Sequence, residues 1–466
     1  ADWKAFVQVP ITGTTKFWET TFAATFDGNL FSLPYGNVGV SFGAEHRRQK
    51  IDDTPPIEMQ NGQVYNFSTS GITRGSDHVT ELFGEVEVPL LRGLPAAEEL
   101  TLNASARYTN YASYGSDWTY KFSGLWTPIK PLSLRATYGT SYRAPALFEQ
   151  FQAPTAGFLS SSNDPCDQYG LRDPSSVRYK NCLADGVPTT YGIQPGPFPG
   201  QSVRTFQLGG AATGLAAETS KNWTLGGVLQ PPLPSSIGRI ELAVDYYNIT
   251  VTNGVAQLGA GSIMSSCYDD PDFKNGTNGG ELCRLMSRDS GTSTNPYQLT
   301  VNNGFVNVAV NKVRGLDYSL RWTRDLGQGQ IRLNADVTQY LEQADKTFPT
   351  DPLYDNNGDI YYPKWTGTFA LTYKIKGWNF RYGLDWVGSM DSYDAVGEDP
   401  ATSIYQFHTP DYFKHNASIS WQNEKFEITA GVRNFTNKEP PQISGYVYNR
   451  VRSEERRVGK ECMPVC

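Results

Sequence analysis

Four cysteines carry the most pointed chemistry in this sequence. Cys166 and Cys182 lie sixteen apart, as do Cys267 and Cys283. Neither pair has the Cys-x-x-Cys spacing or a nearby histidine that a structural metal site uses. Disulfides are therefore expected, and with them an oxidising compartment. Four cysteines permit three connectivities, and locality favours Cys166–Cys182 and Cys267–Cys283. Two acidic runs, Asp355-Asn356-Asn357-Gly358-Asp359 and Asp269-Asp270-Pro271-Asp272, have residue types that hold calcium. The first lacks the spacing and terminal Glu of a full calcium loop. Asn, Asp and Gly are ordinary turn residues, so a turn is expected there. The histidines, His46, His78, His408 and His415, show no ligand-like spacing. No metal and no cofactor is expected. The nucleophile pattern Gly-x-Ser-x-Gly, the phosphate-binding P-loop and the zinc motif His-Glu-x-x-His are all missing. Glu85 and Glu87 share one strand face and could serve as acid and base, but a polar wall explains them more simply. An enzyme is not expected.

The elements that hold these residues read as strands. Of 466 residues only 39% are apolar and 19% charged, while aromatics reach 13%, with 27 Tyr and 10 Trp. Disordered chains lack such aromatics. The net charge of −7 argues against nucleic acid as a partner. No apolar run is long enough for a transmembrane helix. What remains is an all-β chain, either secreted or spanning an outer membrane. Alternation is the main signal. In Leu132–Arg143, Leu132, Leu134, Ala136, Tyr138 and Tyr142 oppose Ser133, Arg135, Thr137, Gly139 and Arg143. Leu316, Tyr318, Leu320 and Trp322 oppose Asp317, Ser319, Arg321 and Thr323. Ile331, Leu333, Ala335 and Val337 oppose Arg332, Asn334, Asp336 and Thr338. These runs last about 9–14 residues, where a tilted membrane strand needs about 9–11 and a soluble strand about 5–6. Trp378 and Trp386 bracket one apolar face, as interfacial girdles do.

About sixteen strands are predicted, near 2–10, 15–28, 37–49, 78–90, 99–111, 116–127, 132–144, 216–229, 237–252, 306–325, 330–343, 364–376, 378–390, 411–422, 425–435 and 445–451. Short connections such as 326–330 alternate with long ones near 50–77, 145–215, 253–305, 344–362 and 391–411. Outer-membrane barrels have short periplasmic turns and long outer loops. The end of the chain departs from all this. Arg452-Ser453-Glu454-Glu455-Arg456-Arg457-Val458-Gly459-Lys460-Glu461-Cys462 has no period of two and looks like translated read-through of a sequencing adapter. Residues 452–466 are thus expected to be non-native, the alternative being a solvated polar tail. Cys462 and Cys466 are given no structural weight.

Five segments, in order, carry a resemblance. They are Thr80–Leu90 (TELFGEVEVPL), Leu134–Glu149 (LRATYGTSYRAP and LFE), Glu218–Gly226 (ETSKNWTLG), Arg314–Tyr318 (RGLDY) and Gly431–Pro441 (GVRNFTNKEPP). Together they resemble the β-barrel of TonB-dependent outer-membrane receptors across residues 1–451. The resemblance implies active uptake of a scarce ligand, such as a siderophore, vitamin or oligosaccharide, driven through TonB. It also implies a Gram-negative outer membrane as location, lipid as partner, and a monomer. Similar loop cystines occur in receptors of this type. The family barrel has 22 strands around a plug. This chain shows about sixteen and lacks the plug and the TonB-contacting segment, so it reads as a partial barrel.

On that frame, Arg135, Arg143, Asp317, Arg321, Arg332 and Asp336 are expected to face the lumen, touching plug or ligand, or simply bonding to one another along a wet wall. Tyr169, Tyr191, Phe198 and Tyr268, in long loops, are expected to stack on a ligand. A passive sixteen-stranded porin is the nearest rival reading, and a secreted all-β carbohydrate-binding protein the next. An upstream plug separates the first; solubility without detergent separates the second.

Overall fold

The computed structural model describes residues 10–65, 69–210, 214–274, 278–346 and 352–444. Fourteen long strands appear in chain order: β1 (Thr14–Leu33), β2 (Gly36–Thr54), β3 (Thr73–Leu94), β4 (Ala97–Tyr111), β5 (Gly115–Ile129), β6 (Leu132–Arg143) and β7 (Glu218–Leu229). The second half comprises β8 (Arg239–Gln257), β9 (Phe305–Leu326), β10 (Gly329–Lys346), β11 (Trp365–Ile375), β12 (Trp378–Val387), β13 (Tyr412–Gln422) and β14 (Glu427–Val432). Each pairs antiparallel with its neighbours in sequence, giving one all-β meander without crossovers. A two-residue strand, Tyr354–Asp355, pairs beside β10. Fourteen of the sixteen predicted strands are these. The other two, 2–10 (save Pro10) and 445–451, and the tail 452–466 lie outside the described residues.

Alternation becomes two unlike faces because the register keeps like with like. One row runs Phe26–Phe42–Gly84–Ala106–Tyr120 across β1 to β5. Another runs Leu134–Gly227–Val244–Tyr318 across β6 to β9. This face carries large, exposed apolar side chains, with Phe22 at 71% and Leu225 at 56%. A contiguous exposed apolar face marks a surface made for contact with an apolar partner. Trp118 and Trp126 bracket the β5 part of it. Eight residues at about 3.4 Å, tilted by about 40°, span roughly 21 Å, close to the ~25 Å band of an outer-membrane barrel. At one margin indole N–H groups donate to turn carbonyls: Trp126 to Ala96 at 2.9 Å and Trp322 to Ile237 at 2.8 Å. The ring thus sits in apolar surroundings while its polar tip stays satisfied.

Two-residue turns close that margin: Pro34-Tyr35, Pro95-Ala96, Lys130-Pro131, Gly327-Gln328 and Lys376-Gly377. Lys376 and Gly377 have φ of 46° and 82°, the left-handed pair that matches the twist of a hairpin. A Cβ on Gly377 would lie 2.6 Å from the Gln422 carbonyl oxygen. Every long connection lies at the opposite margin: 55–72, 144–217, 258–304, 347–364 and 388–411. Strands reach further toward this margin than predicted. β2 ends at Thr54, β3 begins at Thr73, and β8 ends at Gln257. Backbone pairing continues there although the apolar alternation has ended, because each strand still satisfies its neighbour's N–H and C=O groups.

The main buried core is in the loops. Connections 144–217 and 258–304 fold together into a small sheet of Met286–Arg288, Leu299–Asn302, Val203–Gln207 and Thr155–Leu159. Leu299–Asn302 and Val203–Gln207 are parallel and come from the two different connections. Helices α1 (Val177–Ala184) and α2 (Ala260–Tyr268) pack with it around Val187, Val203, Ile263, Met264, Leu299 and Val301.

Candidate functional site

The polar face of the wall is built from the other parity of the same strands. The register places Arg135, Gly226, Asp245, Asp317 and Thr338 in one row across β6 to β10. Arg135 grips Asp245 with two hydrogen bonds, 2.7 and 2.6 Å, over the intervening strand. That reach exists because residue 226 is glycine. A Cβ there would lie 1.9 Å from the Asp245 carboxylate. Thr338 donates to Asp317 at 2.6 Å, while Arg321 and Ser319 both donate to Asp336 at 2.7 Å. Arg332 donates to Gln330 at 2.8 Å. At the long-loop margin Arg143 joins Glu218 of β7 to Glu149 of the short helix Leu147–Phe151. Arg135, Arg143, Asp317, Arg321, Arg332 and Asp336 thus lie on one face of the sheet, in bonds to one another or to neighbours. Asp245, Glu218 and Glu149 were not among the residues expected on this face, although Asp245 has the right parity within Arg239–Gln257.

Over β9 to β14 this face forms a cavity of about 1030 Å³. Its lining includes Arg321, Asp336, Arg381, Asp385, Lys414 and Arg433. Lys414 pairs with Asp385 at 3.3 Å across β12 and β13. Such mixed charge can seat a polar surface through many hydrogen bonds.

The loop module overturns the expectation for the four aromatics. Tyr169, Tyr191 and Tyr268 are 0–1% exposed, and Phe198 packs against the same core. They hold the module together rather than offering rings to a ligand. Tyr169 donates to the Val187 carbonyl at 2.5 Å. Burial, with Asp164 nearby, pushes the Tyr191 hydroxyl up to about 12. The expected cystines are both present, Cys166–Cys182 and Cys267–Cys283.

At the heart of the contact between the two loops is Arg288, which no sequence pattern marks. Its side chain is 3% exposed. Its Nη1 and Nη2 donate to Asp164 at 2.7 and 2.8 Å, and its Nε donates to Asp185 at 3.0 Å. The guanidinium also lies 5.3 Å from the Tyr268 ring centroid. Asp164 and Asp185 belong to connection 144–217, while Arg288 and Tyr268 belong to 258–304. A buried cation thus bridges both segments.

Asp355–Asp359 forms a turn. Asp355 accepts from the Gln343 and Asn357 N–H groups at 3.0 and 3.1 Å, and Gly358 takes φ 104°. Burial, then the charges of Asp355, Asp391 and Asp394, raises the Asp359 pKa above the ordinary carboxylate range. Among the described residues, no three His, Cys, Asp or Glu side chains converge as cation ligands.

Comparison with known proteins agrees with this architecture. Residues 5–435 match the family described as TonB dependent receptor-like, beta-barrel. Among solved structures, the ferric enterobactin receptor PfeA of Pseudomonas aeruginosa superposes with a TM-score of 0.58 at 17% identity, over 94% of this chain and 51% of that one. The siderophore receptor PirA of Acinetobacter baumannii gives 0.53 at 12% identity, over 92% and 51%. The hemophore receptor HasR of Serratia marcescens gives 0.52 at 15%, over 93% and 58%. At these identities the likeness shows the fold. The chain spans about half the length of the receptors it matches. No curated protein matches the sequence.

Proposed function

The chain belongs to the TonB-dependent receptor β-barrel family, and from that premise we propose that it forms the wall and outer loops of an outer-membrane importer of a scarce ligand. The carrying observation is the division of faces on a fourteen-strand meander. One face is apolar between aromatic margins, the other is a charged ladder, and every long connection lies at one end. The apolar face meets lipid. The polar face, with its cavity of about 1030 Å³, lines the lumen and seats a plug. The long connections face outward, and the disulfide-locked module forms the ligand-capturing rim. Energy for passage comes from TonB through that plug. The protein acts as a monomer and not as an enzyme.

Siderophores are the first ligand class to test, because the structural relatives above are described as receptors for ferric enterobactin, for siderophores and for a haem-carrying hemophore. The complete gene, expressed in a Gram-negative host lacking its own siderophore receptors, is expected to restore growth on a ferric siderophore under iron limitation. Uptake should vanish when TonB is removed. Growth that survives loss of TonB would make the protein a passive channel. Recovery from the soluble fraction without detergent would overturn the membrane reading altogether.

A further inference from the structure

Five turns at the short-connection margin are two residues long, whereas nine residues, 230–238, join β7 to β8. Two residues are enough to close an antiparallel hairpin, so most of this connection is not needed for the wall. Its sequence is Gln230-Pro231-Pro232-Leu233-Pro234-Ser235-Ser236-Ile237-Gly238. Proline fixes its own φ near −65°, and the residue before a proline is pushed to an extended ψ. Every residue from Gln230 to Pro234 falls under at least one of these constraints. The stretch is therefore held in the polyproline II conformation, without strand pairing. Both ends are fastened. The Gln230 N–H donates to the Pro131 carbonyl at 2.7 Å, and its side chain donates to Glu241 at 2.7 Å. The N–H groups of Ile237 and Gly238 both donate to the Pro234 carbonyl, at 2.9 and 3.2 Å, and the Trp322 indole holds the Ile237 carbonyl. Between these anchors the carbonyls of Pro231, Pro232 and Leu233 have no hydrogen-bond partner among the described residues. Pro232 and Pro234 are exposed, and so is Ile237. Lys130, in the neighbouring turn, and Arg239, at the start of β8, are exposed and pair with no carboxylate among the described residues.

We propose that 230–238 is a docking segment for a periplasmic protein domain with an aromatic-lined, acidic-rimmed groove. The inference rests on the reading that the short connections face the periplasm. Its own support is conformation and charge. Pro231 and Pro234 stand three apart, one turn of a polyproline II helix, so their rings share a face. Grooves lined by aromatic side chains take up such paired rings. The free carbonyls of Pro231, Pro232 and Leu233 suit the indole N–H or phenol O–H donors of such a groove, which have no other use for an apolar ridge. The prolines set the conformation in advance, so docking orders little that is not ordered already. Lys130 and Arg239 flank the ridge with positive charge, which favours carboxylates at the partner's rim and disfavours a basic one. The segment lies beyond Trp322 at the edge of the apolar band, so its occupant comes from water rather than from the hydrocarbon.

The test places a photoreactive side chain in the full-length receptor, expressed in its own bacterium, as Leu233→benzoylphenylalanine. The same probe at Gln328, in a two-residue turn of the same margin, is the control. Illumination of living cells should give a protein adduct at 233 at least tenfold above that at 328. Mass spectrometry of the adduct should place the partner's labelled residue beside Trp or Tyr. Pro231→Ala combined with Pro234→Ala should lower the yield about tenfold, as the loss of anchor residues does, while Ser235→Ala should leave it unchanged. Heat-modifiable migration of each variant on gels checks that the wall is intact. A yield at 233 no greater than at 328 overturns the proposal. So does a yield that survives the double alanine change, or an adduct far from any aromatic residue of the partner. A membrane-impermeant maleimide applied to intact cells carrying Ser236→Cys separates the two levels of inference. Labelling from outside defeats the orientation and this proposal with it, whereas protection without an adduct at 233 defeats only this proposal.

Discussion

Replacing Arg288 by methionine removes the one cation shared by Asp164 and Asp185 while keeping most of the side-chain volume. The cost follows from what remains. Asp164 is fully buried and Asp185 nearly so. Breaking a buried ion pair by deleting one partner costs about 3–5 kcal/mol, mostly because a charge is left uncompensated. Here both carboxylates keep some support. Asp164 still accepts from the Cys166 N–H at 2.9 Å and from Tyr191 at 3.4 Å. Asp185 still pairs with Lys274 and accepts from Tyr268. The lower limit, about 3 kcal/mol, is therefore expected, or roughly a hundredfold in the opening equilibrium of the loop module. Amide hydrogen exchange is the assay, because the loss is local and the wall strands provide an internal standard. Exchange in 155–207 and 260–302 should rise about a hundredfold while β4 and β5 stay unchanged. Arg288→Lys should rescue little, since one ammonium cannot reproduce a fork that meets two carboxylates at two edges. A rise below fivefold, or a uniform rise that includes the wall, would refute the reasoning.

Reduction of Cys166–Cys182, or the change Cys182→Ser, releases a sixteen-residue closure worth about 3 kcal/mol of chain entropy. Proteolysis within 166–182 should become faster, with heat-resistant migration of the wall on gels unaffected. Gly226→Val should break the Arg135–Asp245 bridge, since the new Cβ collides with the Asp245 carboxylate. A loss of about 1–3 kcal/mol should lower the heat-denaturation midpoint, and Arg135→Gln paired with Gly226→Val should add little further. Asp359 has a raised folded-state pKa, so the folded turn keeps a proton that the unfolded chain has released. Its stability is then highest in acid and falls as pH rises from the ordinary aspartate value through the raised one. Exchange of the 354–362 amides across the acid range should show that slope, and Asp359→Asn should flatten it; a slope of opposite sign would contradict the assignment.

The wall was legible because its signal is local. Side chains in a strand alternate with a strict period of two, so Leu132–Arg143 announces both its conformation and its two faces within twelve residues. The charged ladder follows from the same parity, and Arg135, Arg321 and Asp336 could be placed on one face before any partner was known. Cystine pairing followed from nearness in sequence. The loops were not legible in this way. Tyr169, Tyr191 and Tyr268 are aromatic, lie in long loops and read as ligand-facing; the structure buries them. Nothing local distinguishes an aromatic that packs a core from one that waits for a ligand. That distinction arises when two connections more than forty residues apart meet, as Val203–Gln207 and Leu299–Asn302 do in parallel. Arg288 shows the limit most clearly. Alone it is an ordinary surface cation, and only tertiary folding brings Asp164 and Asp185 to it and removes the water from all three. Sequence by itself determined the periodic architecture, because strand faces depend on neighbours two residues away. Tertiary structure decided the loop module and its buried charges, because those depend on contacts that no local period encodes.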